Sequence, residues 1–137
     1  MRIKHPGLSA PTAALFLLFL APVPSSLGQT QIAEAEFAAK SDAGTEAGKK
    51  FGEALGQAFG REHGSTIQRC AKSAQRPDLS NFDLFLRLDA TGAVDQALVE
   101  PATALATCVR EQMPGWKSSA PPHAGFWVKV DVNLKSK

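Results

Sequence analysis

Cys70 and Cys108 are the only cysteines in a chain of 137 residues. Cys70 stands near the end of one run of helical periodicity, and Cys108 stands inside a second. Between them the apolar pattern switches to period two, the mark of strands. A bond between the two sulfurs would therefore tie two helices together across a hairpin. Closing a loop of 38 residues in this way restrains the unfolded chain by about 4 kcal/mol in the chain-entropy account. Two buried free thiols are the alternative. A metal site is disfavoured, because there is no Cys-x-x-Cys and neither His63 nor His123 has ligand spacing.

The first 28 residues supply the reason to expect the bond. Arg2, Lys4 and His5 make a basic start, and residues 13–20 form an apolar run that Pro22, Pro24 and Ser25 break. Ser26 and Gly28 flank Leu27, which fits a signal-peptidase site with cleavage after Gly28. The run falls short of the roughly 20 residues that span a bilayer. Residues 1–28 thus read as a removable signal peptide, with an uncleaved anchor as the alternative. The expected destination is the periplasm or the exterior, without stable membrane insertion, and there paired cysteines are oxidised. The leader holds Arg2 and Lys4 and no acid, so residues 29–137 carry 13 basic and 13 acidic side chains. Such a balance argues against nucleic-acid binding through a general positive surface.

Residues 29–48 contain Ile32 and Phe37 as their only large apolar side chains and read as a flexible N-terminal arm that turns helical near its end. The domain proper is expected over 49–137. Phe51, Leu55, Ala58, Phe59, Ile67, Cys70 and Ala74 recur at helical steps and predict a helix over about 49–74. Gly64-Ser65 is a candidate break within it, and Arg76-Pro77-Asp78 ends it. A glycine recurs every fourth residue from Gly44 to Gly64. That row either lets another helix approach closely or merely weakens this one, since an interior glycine costs about 1 kcal/mol against alanine. For Gly44 and Gly48 the weak-helix reading is preferred.

Phe82, Leu84, Leu86 and Leu88 alternate with Asp83, Phe85, Arg87 and Asp89 in a strand with one apolar face. Asp89-Ala90-Thr91-Gly92 is turn chemistry, with Gly92 free to take a positive φ. Residues 93–100 return with Val94 and Leu98 on one face. Thr103 caps a helix to about Met113, whose buried stripe is Leu105, Cys108, Val109 and Met113. After a 114–125 loop, Phe126, Val128, Val130, Val132 and Leu134 alternate with Trp127, Lys129, Asp131 and Asn133 in the clearest strand of the chain. The fold class is α+β, in the order α-β-β-α-β. A three-stranded sheet carries two helices on one face, joined by the Cys70–Cys108 disulfide. Phe85 gives the 82–89 strand apolar character on both sides, so that strand is placed centrally and 126–134 at an edge.

The run Gly92-Ala93-Val94-Asp95-Gln96-Ala97-Leu98-Val99, the helix with Cys108-Val109, then Trp116, Pro121-Pro122 and Val128-Lys129-Val130-Asp131-Val132 resembles the C-terminal domain of the TonB/TolA family over roughly residues 65–135. The resemblance implies that fold and an edge-strand binding mode. It does not imply energy transduction, because the transducers keep a membrane anchor and a Pro-rich spacer, and residues 29–50 contain no proline.

The expected function is therefore a non-enzymatic binding or adaptor domain in the cell envelope. A peptide or protein partner would add to the edge strand, whose outward side carries Trp127, Lys129, Asp131 and Asn133. The same residues read equally well as a solvated face that blunts the edge. Trp116 is a candidate partner-binding aromatic, although a tryptophan after a helix more often closes a core. The alternative is a periplasmic inhibitor or immunity protein that blocks an enzyme through its 116–125 loop. Acid–base catalysis by His63 or His123 lacks any supporting motif. No cofactor is implied, and self-association stays open.

Overall fold

The computed structural model describes Gly7, residues 26–74 and residues 78–134. Most of the expected leader, and the Arg76-Pro77 helix stop, lie outside the described residues. The elements are α1 (Ser26–Asp42), α2 (Glu46–Ser73), β1 (Phe82–Leu88), β2 (Val94–Glu100), α3 (Ala104–Glu111) and β3 (Phe126–Val132). The sheet order is β2-β1-β3 with both pairings antiparallel, so β1 is central and β3 lies at an edge.

The alternation in β1 sets the layers. Phe82, Leu84, Leu86 and Leu88 are all buried and face α2 and α3. They meet Val132, Val130, Val128 and Phe126 directly across the β1–β3 ladder. Leu55, Phe59 and Cys70 from α2 and Leu105, Ala106, Val109 and Met113 from α3 complete this core. The Cys70–Cys108 disulfide closes it, with the two Cα atoms 5.7 Å apart. Thr103 caps α3 as its sequence position suggests, its hydroxyl accepting from the Ala106 N–H at 3.1 Å.

Three features differ from the sequence expectation. The first concerns residues 29–48, expected as a flexible arm. They hold most of α1, which touches all three strands. Ala35 and Ala39 are buried, as is Phe85, and all three stand apart from the main core cluster. α1 therefore covers the second face of the sheet, where Phe85 of the central strand needs a partner. Its contact stripe is small: alanines let the helix lie close without large side chains, so a search for large apolar residues passes over it.

The second is β2. A bulge at Asp95 puts Val94 opposite Leu88 but Gln96 opposite Arg87. One extra residue reverses the side-chain alternation. Leu98 therefore faces Phe85 on the α1 side, while Val94 and Val99 enter the main core; the two residues expected on one face lie on opposite faces. The third is α2, which runs 28 residues without a break at Gly64-Ser65. Thr45 caps its start, accepting from the Gly48 N–H at 3.0 Å.

The turn after β1 follows its chemistry. The Asp89 carboxylate accepts from the Thr91 and Ala93 N–H groups at 2.8 and 3.1 Å. Gly92 takes φ of +89°, and a Cβ there would stand 2.4 Å from the Ser119 carbonyl oxygen. Both conditions require glycine.

Candidate functional site

In an antiparallel ladder, alternate residues of an edge strand point both N–H and C=O away from the sheet. In β3 those residues are Trp127, Lys129 and Asp131. The row is identified by Trp127, whose N–H donates outward to Asp42 Oδ2 at 2.8 Å rather than to β1. Asp42, at the end of α1, thus caps the first outward donor of the edge. The outward groups of Lys129 and Asp131 have no cap among the described residues.

A groove of about 440 Å³ opens beside this edge. The C-terminal part of α1 forms one wall and the start of α2 the other. Ala39, Ala43, Gly48, Gly52, Phe126 and Val128 give it apolar surface. Glu36 and Lys40 stand one turn apart on the α1 wall, and Lys49 and Glu53 one turn apart on the α2 wall, so each wall is balanced in charge.

Two glycines shape the corner and its groove. A Cβ at Gly48 would fall 1.8 Å from the Asp42 carbonyl oxygen, so α1 and α2 meet there without room for a side chain. At Gly52 nothing lies within 4 Å of the same atom, and the missing side chain leaves the groove open. Gly56, Gly60 and Gly64 likewise face open space, and no described helix packs along the row.

The sequence-derived site residues separate into groups. The side chains of Trp127, Lys129 and Asp131 lie on the α1 face of the sheet. Trp127 is half-buried, and the Arg87 guanidinium carbon sits 6.0 Å from its ring centroid. Lys129 Nζ lies 3.2 Å from Asp83 and 3.5 Å from Asp131. Partial burial pulls its pKa down, but the hydrogen bond and charge of Asp83, helped by Asp131, hold it above the usual lysine value. Asn133 is exposed just past the end of β3.

Trp116 lies away from this edge. Its indole N–H donates to Glu62 Oε2 at 2.6 Å, and its ring meets His63 and Phe59 edge-on. It fastens the loop to α2. Ser118 and Gly115 tie the same loop to the hairpin through Gly92 and Val94, while Ser119, Ala120 and residues 122–125 stay exposed.

The two histidines serve separate places. His63 is packed between Phe59 and Trp116, its Nε2 is buried without a hydrogen-bond partner among the described residues, and desolvation lowers its pKa against the pull of Glu62. His123 Nε2 lies 2.7 Å from Asp42 Oδ1, and its Nδ1 lies 2.8 Å from the Ala124 carbonyl. The Ala124 hydrogen bond and then Asp42 raise its pKa. Sequence reasoning missed the Asp42–His123–Trp127 contact because it joins positions 81 and 85 residues apart. Among the described residues no group of three or more His, Cys, Asp or Glu side chains is placed to hold a metal ion. No described helix is long and apolar enough to cross a membrane.

No family model, no curated protein and no solved structure matches the chain.

Proposed function

We propose that this chain is an exported binding domain of the TonB C-terminal kind, acting in the cell envelope as an adaptor and not as an energy transducer. It takes an extended peptide segment of a partner protein as a fourth strand on β3. The observation that carries the proposal is the uncapped outward edge at Lys129 and Asp131, which runs on from the groove that Trp127 and Lys129 line between α1 and α2. Main-chain pairing supplies affinity in this mode, and alternate side chains supply selectivity. The walls carry balanced charge and the lining is largely apolar. The favoured occupant is therefore an extended, uncharged segment with apolar residues at alternate positions. The disulfide supports an oxidising compartment.

The test is a titration with an acetylated and amidated heptapeptide of alternating Thr and Val, followed by backbone NMR. Shifts should concentrate at residues 127–131 and at Gly52. Gly52→Gln provides the control. Its side chain has open space on the helix, and replacing an interior glycine adds about 0.5–1 kcal/mol of stability. The same side chain fills the groove, so binding should disappear in a protein that is no less stable. Shifts absent from residues 126–134 would remove the proposal. Shifts confined to 118–123 would favour an inhibitor or immunity protein acting through the loop.

A further inference from the structure

We infer that Asp42 and His123 form a proton-operated latch on the peptide-accepting edge, an inference that rests on the binding mode proposed above. What each partner can donate decides the state of the ring. The Ala124 carbonyl and the Asp42 carboxylate are both acceptors, and they lie 2.8 and 2.7 Å from the two ring nitrogens of His123. A neutral imidazole has one N–H and can satisfy only one of them. Both contacts together require the imidazolium.

The other oxygen of the same carboxylate accepts from the Trp127 N–H at 2.8 Å. One side chain thus joins the titrating ring to the first outward donor of β3. The charged groups of this corner and its groove are Glu36, Lys40 and Asp42 of α1, Glu46, Lys49, Lys50 and Glu53 of α2, Asp83 and Arg87 of β1, and Lys129 and Asp131 of β3. Among the described residues only Asp42 makes an ion pair with the ring. Arg87 is taken by Asp95, Glu46 by Lys50, and Lys129 by Asp83 and Asp131.

The direction follows from linkage. The latched ring binds its proton more tightly than a free one, so the latch is closed in acid and loosens as pH rises through the His123 pKa. A strand that pairs with Trp127, Lys129 and Asp131 must displace Asp42 from the Trp127 N–H. It will compete better once the ring is neutral. The edge therefore accepts peptide more readily above the His123 pKa and is held shorter below it.

The experiment uses the disulfide-bonded protein at pH 5.5 and 8.5. The first reading needs no ligand: the hydrogen-exchange protection factor of the Trp127 amide, in which intrinsic pH dependence is already divided out. It should be about fivefold or more greater at pH 5.5, the lower end of typical coupling between sites. In the exposed-site variant His123→Gln the difference should vanish. The second reading is the Kd of the Thr/Val heptapeptide, which has no titrating group and should bind about fivefold or more tightly at pH 8.5. Trp127 protection that stays flat while the His123 ring titrates overturns the latch, as does a heptapeptide affinity that is the same at both pH values. If the peptide binds at neither pH while Trp127 follows His123, the latch stands and the binding mode falls.

Discussion

Reducing the Cys70–Cys108 bond isolates the contribution of one covalent link, because both sulfurs stay in place. The link closes a loop of 38 residues. Chain-entropy theory assigns such a loop about 13 cal/mol/K, or about 4 kcal/mol at 25 °C. A domain of this size is stable by about 5–15 kcal/mol in all. Reduction should therefore remove a large part of its stability and lower Tm by about 15–30 °C. Urea unfolding with and without reductant, read by tryptophan fluorescence, measures the difference. The m-value should rise on reduction, because an uncrosslinked chain exposes more surface when it unfolds. A stability change under about 1 kcal/mol, with m unchanged, would show that the bond restrains little of the unfolded chain. The apolar contacts between α2, α3 and the sheet would then hold the helices without the bond.

Two further perturbations probe the parts that flank the edge. Gly48→Ala drives a Cβ into the Asp42 carbonyl. The protein should lose about 1–3 kcal/mol in urea unfolding, and Trp127 amide protection should fall with it; unchanged values for both would show that the corner is loose. His63 gives a stability effect opposite in sign to that of His123. Desolvation depresses its folded pKa below 6.5, so its contribution is present above that value and is lost as pH falls through the folded pKa. His123, whose pKa is raised, contributes below 6.5 and loses that contribution as pH rises through its folded pKa. His63→Phe should therefore raise the urea midpoint more at pH 5.0 than at pH 7.5, and equal gains at both would contradict the assigned burial effect.

The elements legible in the sequence are those whose burial is carried by large residues. Leu84, Leu86 and Leu88 announce the central strand by strict alternation, and Phe126 to Val132 announce the edge in the same way. The cysteines read correctly because their helices each present a one-sided apolar stripe. α1 escapes because Ala35 and Ala39 do its packing, and alanine does not stand out against the Ala-rich composition of that segment. Phe85 is the available signal: an apolar residue on the supposedly wet face of a central strand needs a cover. The place of Leu98 is hidden by the Asp95 bulge, which no residue pattern marks. The outward residues Trp127, Lys129 and Asp131 can be named from sequence, but the groove beside them cannot. Its walls come from a corner that exists only because Gly48 lets α1 and α2 touch. The Asp42 cap lies beyond the reach of local reasoning, since it joins residues far apart in the chain.

β3 offers open main-chain groups at Lys129 and Asp131, while Asp42 caps Trp127. Native-state amide exchange at pH 5.5, without any ligand, reads this residue by residue along the strand. Val128 and Val130, whose amides pair with β1, should be strongly protected, Trp127 intermediate, and Lys129 and Asp131 close to the free-chain rate. Protection at Lys129 and Asp131 equal to that at Val128 and Val130 would mean that the edge is already occupied and closed to a partner strand.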